Sequence, residues 1–272
     1  MLVTGAAGLV GQLVAARLAD RYDLVLTDIQ PLPQPSALPF TRADLADLEA
    51  IRSLFRGAHT VLHLATVNWS APWESLLPSD IVGTYNVLLA AHEAGCQRVV
   101  FTSSIHAVDG APPEVVLPSG QPAQPITLYG AAKAWGEAAG AFFARRYGYS
   151  VICLRLGLVA DRKGHRLWPG SPELNRVITY EDLMSLLVAA IEAPPDLRFV
   201  VLNGVSANRQ TRLDVNETRR VLHYTPQDDA FVLAEQNYLS HWPRGLRRAR
   251  AFAGRMFNRV PALRRLRRRA GR

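Results

Sequence analysis

Thr4-Gly5-Ala6-Ala7-Gly8-Leu9-Val10-Gly11 follows the apolar pair Leu2-Val3 and runs directly into Leu9-Val10-Gly11-Gln12-Leu13-Val14-Ala15-Ala16-Arg17-Leu18. The order reads as strand, glycine-rich turn and helix. Glycines at such a junction let backbone N–H groups approach a pyrophosphate, and the positive end of the helix dipole favours the negative charge. Gly5, Gly8, Leu9, Val10 and Gly11 are therefore candidate dinucleotide-binding positions. A second strand, Leu24-Val25-Leu26, ends in Thr27-Asp28, and Asp28 stands 17 residues after Gly11. That is near the roughly 20-residue offset at which a carboxylate binds the adenosine ribose. Its charge would repel a 2′-phosphate and no Arg immediately follows it, so the expected cofactor is NAD. An Asp that only caps a turn before Pro31 remains the competing reading.

The second informative step is Tyr129-x-x-x-Lys133. On a helix this spacing puts a phenol and an ammonium on one face, where the positive charge favours the phenolate and suits the pair to proton transfer. Between and beyond these motifs, the apolar runs Leu24–Leu26, Val61–Leu64, Arg98–Thr102, Val151–Leu156 and Phe199–Leu202 alternate with helical spacings. Continuous apolar strands separated by helices predict an α/β fold with a doubly wound parallel sheet, the Rossmann fold. A single catalytic domain is expected over 1–240, with a small substrate lobe mainly at 158–240 and a basic tail at 241–272. Low-complexity patches are confined to Pro31–Pro39, Pro112–Pro125 and the tail.

The formal net charge of +8 comes from that tail. Twelve of the 31 Lys and Arg residues fall in 241–272, which has no Asp or Glu, leaving 19 basic against 23 acidic residues in 1–240. Apolar residues such as Trp242, Leu246, Phe252 and Phe257 are interleaved with the arginines. Three readings stay open: a solubilising or docked segment, an interfacial helix on anionic lipid, and a contact with a partner or nucleic acid. No specific nucleic-acid binding is expected. Cys96 and Cys153 are isolated and in apolar surroundings, as buried free thiols in a reducing compartment would be. The sequence lacks a signal-peptide pattern and an apolar run long enough to span a bilayer, so a cytoplasmic protein is expected, with membrane association limited to the tail. No clustered Cys, His and carboxylate pattern proposes a metal site.

Taken together, these motifs resemble the extended branch of the short-chain dehydrogenase/reductase superfamily, the group of NAD-dependent epimerases and dehydratases, over roughly residues 1–230. The resemblance also rests on Asp44-Leu45, Leu62-His63-Leu64-Ala65, Gly83-Thr84-Tyr85-Asn86, Thr102-Ser103-Ser104 and Arg155-Leu156-Gly157. Within the branch, Ser103-Ser104-Ile105-His106 and Leu128-Tyr129-Gly130-Ala131-Ala132-Lys133 are most similar to the uronate dehydrogenases.

The resemblance implies hydride transfer from the anomeric carbon of a sugar acid to NAD, giving a lactone. Tyr129 would take the hydroxyl proton, Lys133 would hold the nicotinamide ribose, and Ser104 would position the reacting oxygen. Asp44 and Leu45 would contact adenine, and Leu64 and Ala65 would line the cofactor, with His63 contributing backbone rather than ring. His106 and Arg166 would face the substrate, a small sugar. Two departures bear on that substrate: Ile105 replaces an Asn and Leu158 replaces a Ser. Asp80 stands where many relatives carry Asn. A homodimer through the Tyr129 helix would use Ala131, Ala132, Phe142 and Phe143. The alternatives are a redox-neutral nucleotide-sugar epimerase or dehydratase, and a non-catalytic NAD-binding protein.

Overall fold

The computed structural model describes residues 1–164 and 167–240. Arg166 and the Arg-rich segment 241–272 lie outside the described residues.

The chain alternates strands and helices: β1 Leu2–Thr4, α1 Leu9–Leu18, β2 Val25–Asp28, β3 Phe40–Arg42, α2 Leu48–Arg52 and β4 Thr60–His63. It continues through α3 Trp73–Leu76, a π-helical turn Leu77–Val82, α4 Gly83–Glu93, β5 Arg98–Ser104, α5 Leu128–Tyr147 and β6 Ser150–Leu156. The remainder is β7 Leu158–Ala160, β8 Val177–Thr179, α6 Tyr180–Ile191, β9 Phe199–Gly204, α7 Asn216–Leu222 and α8 Ala230–Ser240. Seven strands form one sheet in the order β3-β2-β1-β4-β5-β6-β9. All its pairings are parallel.

Strand periodicity explains the two cores. Val99, Phe101, Val151 and Cys153 face a cluster that includes Val87, Leu88 and Phe143 from α4 and α5. Their neighbours Val100, Ile152 and Leu154 face the opposite cluster with Val14 of α1 and Leu183, Leu186 and Leu187 of α6. Successive side chains point to opposite faces, so an unbroken apolar strand supplies both layers. Each fully buried Val, Leu or Ile contributes about 1.5–3 kcal/mol. Both cysteines are free and buried in the α4/α5 layer, where burial pushes the Cys96 thiol up to about 11.

The sequence expectations need three adjustments. An additional edge strand, β3, follows the Pro31–Pro39 loop. Part of 158–240 belongs to the main body, because β9 pairs with β6 and α6 packs on the sheet. The small lobe proper is the two-stranded β7–β8 sheet with α8, sharing a cluster of Leu167, Leu174, Val177, Ala230 and Ala234. Finally, Ala132 and Phe143 point into the core, while Ala131 and Phe142 remain on the surface of α5.

The strand order reverses direction between β1 and β4, and a ligand crevice forms outside the carboxyl ends of strands at such a switch point. Gly5 leaves β1 there and Leu64 leaves β4.

Candidate active site

A cavity of about 780 Å³ opens at the switch point. Gly5, Gly8, Leu9, Val10 and Gly11 line it from the first turn, Asp28 from the end of β2, Asp44 and Leu45 from the loop after β3, and Leu64 and Ala65 from the end of β4. Gly5 has φ 72°, and a Cβ built on it would stand 2.5 Å from the Ala65 amide nitrogen, so only glycine lets these two crossovers meet. The first helical bond of α1 runs from Gln12 N to Gly8 O at 2.9 Å, and no acidic residue occupies the first turn. Helix geometry leaves the first-turn amides of Leu9, Val10 and Gly11 without helical acceptors, available to an anion.

Asp28 is doubly engaged. Oδ2 accepts from Ala7 N at 2.9 Å and Oδ1 from Gln30 N at 2.8 Å. The carboxylate thus ties the glycine loop to the end of β2 and caps the next turn. Its two oxygens offer about four lone-pair sites, so it retains capacity for ribose hydroxyls. Asp44 Oδ1 accepts from Ala46 N at 2.9 Å and holds the loop that presents Leu45. A backbone cradle closed to a Cβ, a helix N-terminus free of acidic residues and a carboxylate at the neighbouring strand end fit an adenine dinucleotide.

A second cavity, of about 810 Å³, is lined by Ser104, His106 and Tyr129. Asn68 lines both cavities, which makes them neighbours. Ser104 is the last residue of β5, and its Oγ accepts from His106 N at 3.2 Å, starting a tight turn. Thr127 caps α5 by accepting from Gly130 N at 3.0 Å, two residues from the Leu128 start. A Cβ at Gly130 would overlap the His106 carbonyl oxygen, so glycine there brings the first turn of α5 against the Ser104 turn. The His106 ring meets Tyr129 edge-on at 5.7 Å between centroids, and Trp69 stacks on His106 at 5.8 Å.

Lys133 lies one turn below Tyr129. Its Nζ is 5.4 Å from the Tyr129 ring centroid, 5.1 Å from that of Phe101, and 3.2 Å from Asp80 Oδ1. Asp80 sits in the π-helical turn. It also accepts from Thr66 Oγ1 at 2.5 Å and Val67 N at 3.2 Å. Beneath this pair the His63 ring is buried between Thr4 Oγ1 at 2.8 Å and Thr84 Oγ1 at 3.2 Å. Burial, followed by the charge of Lys133, pushes His63 down to about 3 against the opposing pull of Asp80, so the imidazole is neutral. A buried Arg155–Glu137 pair at 2.7 Å, with Ser103 Oγ donating to Glu137 at 2.6 Å, fastens α5 to β5 and β6. Loss of either partner would leave a buried charge at a cost of about 3–5 kcal/mol.

Several lining residues escaped the sequence reading: Asn68, Trp69, Trp168 and Arg176. Among the described residues lining the second cavity, Arg176 is the only Lys or Arg; its Nη1 lies 3.4 Å from Asp109 and its Nε is buried without a hydrogen-bond partner. Ile105 and Leu158 do line this cavity, so the two apolar replacements face the same space. No group of His, Cys, Asp and Glu suited to a metal ion occurs among the described residues. None of the described helices is long and apolar enough to cross a membrane.

The parallel sheet and its switch-point cradle are those of an NAD-dependent oxidoreductase of the short-chain type. The chain belongs to the NAD dependent epimerase/dehydratase family, whose sequence profile matches residues 1–180. It is 32% identical over 256 residues to an NAD-dependent glucose-6-phosphate dehydrogenase of Haloferax volcanii, covering 85% of this chain and 94% of that one. A uronate dehydrogenase of Pseudomonas syringae is 30% identical over 236 residues, covering 85% and 83%. Among solved structures, a mutant uronate dehydrogenase of Agrobacterium tumefaciens complexed with NAD superposes with TM-score 0.79 at 30% identity, over 89% of each chain.

Proposed function

We propose that this chain is an NAD-dependent dehydrogenase that oxidises a sugar or sugar acid, in the manner of the uronate dehydrogenases. The observation carrying this reading is the adjacency of the two cavities: one is built as a dinucleotide cradle, and the other, joined to it at Asn68, holds Ser104, His106 and Tyr129. Bound NAD supplies the hydride acceptor.

The chain's residues bind, orient and move the proton. The α1 amides and Asp28 would hold the pyrophosphate and ribose, Asp44 and Leu45 would border the adenine, and Leu64 and Ala65 would close the cradle from β4. Tyr129 is the base that accepts the substrate hydroxyl proton. Lys133 places its ammonium beside the Tyr129 ring and would hold the nicotinamide ribose. Ser104 Oγ already accepts from the His106 amide. Its own proton is therefore free to be donated to the reacting oxygen, fixing that oxygen near Tyr129. Trp69 and His106 form a flat wall suited to a sugar ring, and Arg176 supplies a cation for a carboxylate or phosphate on the substrate. Arg166 is a second candidate for that task.

Exposed Phe142, Tyr85 and Tyr147 form the face through which a homodimer would assemble. The buried thiols accord with a cytoplasmic setting. The segment 241–272 would add an electrostatic contact with anionic lipid or a partner, separate from turnover.

The test is a panel of uronic acids, aldose phosphates, aldoses and polyols offered with NAD and with NADP, read as reduced nicotinamide. Acidic sugars oxidised with NAD are the expected result. Redox-neutral conversion of a nucleotide sugar would overturn the reading.

A further inference from the structure

Lys133 and Asp80 are 1% and 2% exposed, and their charged atoms stand 3.2 Å apart. A buried carboxylate on a catalytic ammonium is not neutral in its effect. Charges of opposite sign held this close offset one another's field at neighbouring groups. The placement is specific. The π-helical turn Leu77–Val82 carries Asp80 into the site between β4 and α5, and such turns are often found at functional positions. Two donors, Thr66 Oγ1 and Val67 N, fix both carboxylate oxygens. No imidazolium shares the work, since His63 from β4 is held neutral by burial.

We propose that ionised Asp80 is a positioning residue: it anchors the Lys133 ammonium at the inner end of the site and tempers its field at Tyr129, so that turnover rises at higher pH than the ammonium alone would allow. The other titratable groups near Tyr129 form a separate chain. His106 faces its ring, Asp109 is 3.4 Å from His106 Nδ1, Arg176 is 3.4 Å from Asp109, and Glu173 is 3.9 Å from Arg176. On α5 itself Glu137 is consumed by Arg155. Asp80 is therefore the carboxylate that acts on Lys133 directly. The proposal rests on the assignment of Tyr129 and Lys133 made above.

The test compares kcat against pH, at saturating NAD and sugar, in the wild type, Asp80→Asn and Thr66→Val, together with NADH affinity by equilibrium fluorescence titration. Asp80→Asn retains side-chain size and one acceptor oxygen while removing the charge. Its kcat profile should rise at a pH lower by about one unit, with NADH affinity nearly unchanged. Thr66→Val removes the donor that shares the carboxylate's charge, and should displace the rise in the opposite direction, to higher pH by a smaller amount. A folded Asp80→Asn with an unmoved profile overturns the proposal. Should that variant fail to fold, Thr66→Val decides: displacement to higher pH supports the proposal and an unmoved profile overturns it. Failure of the underlying assignment is distinct, because it would appear as undiminished turnover in Tyr129→Phe.

Discussion

The two adjoining cavities are built differently. The first is made largely of backbone: amides at the start of α1, the close pass of Gly5 against Ala65, and a carboxylate whose oxygens are already tied to Ala7 and Gln30. The second is made of side chains from separate segments: Ser104 and His106 after β5, Tyr129 on α5, Trp69 beyond β4, and Trp168 and Arg176 between β7 and α6. A backbone cradle serves one conserved chemical task, grasping a pyrophosphate, and tolerates few residues at its glycines. A side-chain cavity can change its substrate by single replacements while the machinery at its floor stays in place. Ile105 and Leu158 lie in the second cavity.

The largest effect should come from the floor of the second cavity. Tyr129→Phe keeps ring volume and removes the proposed proton acceptor, so kcat should fall by roughly 10²- to 10⁴-fold in steady-state assays. NADH affinity, read by fluorescence titration, should stay nearly unchanged. A parallel loss of NADH binding would mean that the cavities are not separable in this way.

A change in the first cavity should do the reverse. Gly5→Ala forces a side chain onto a left-handed residue and against the Ala65 backbone. The conformation alone costs about 1–2 kcal/mol, and the crowding adds to it. NADH affinity should drop by roughly tenfold or more, since about 1.4 kcal/mol is a factor of ten, and the thermal midpoint should fall. Normal affinity in this variant would show that the crossover relaxes easily.

Asp28→Ala should give the smallest of the three effects. Loss of a charged hydrogen bond at this half-exposed position, at about the 1.5 kcal/mol low end of such bonds, weakens NAD by roughly tenfold. NADP should suffer less because the repulsion goes too, narrowing the preference for NAD in paired kcat/KM measurements. Since Asp28 also bonds Ala7 N, some NADP affinity should be lost as the loop slackens. An unchanged ratio would assign Asp28 to the turn alone.

The same contrast explains what could be read from the sequence. The glycine run, the Asp28 spacing and the alternation of apolar strands follow from local geometry, and the expected helix after the glycines coincides with α1 at Leu9–Leu18. β3 was hidden because Phe40-Thr41-Arg42 is a three-residue edge strand with exposed polar positions, stabilised by pairing with Leu26–Asp28 rather than by its own pattern. Arg176 was hidden for a tertiary reason: Gly157 lets the end of β6 pass against the Arg176 carbonyl, a contact that no local spacing announces. Asp80 stands out in the sequence as a departure, but its pairing with Lys133 depends on the π-helical turn. The expected partner surface includes Ala132 and Phe143, although Ala132, Gly136, Gly140 and Phe143 recur at helical intervals along one face. That face is buried, and the pattern was available to find it.

The central claim is that these cavities cooperate in net oxidation of a sugar by NAD. The most direct measurement incubates the full chain with NAD and each member of a panel of uronic acids, aldose phosphates and neutral aldoses, following reduced nicotinamide and substrate consumed. The account predicts NADH formed in proportion to sugar oxidised, with acidic sugars ahead of neutral ones. Sugar conversion without accumulating NADH, or no reduction of NAD by any member, would contradict it.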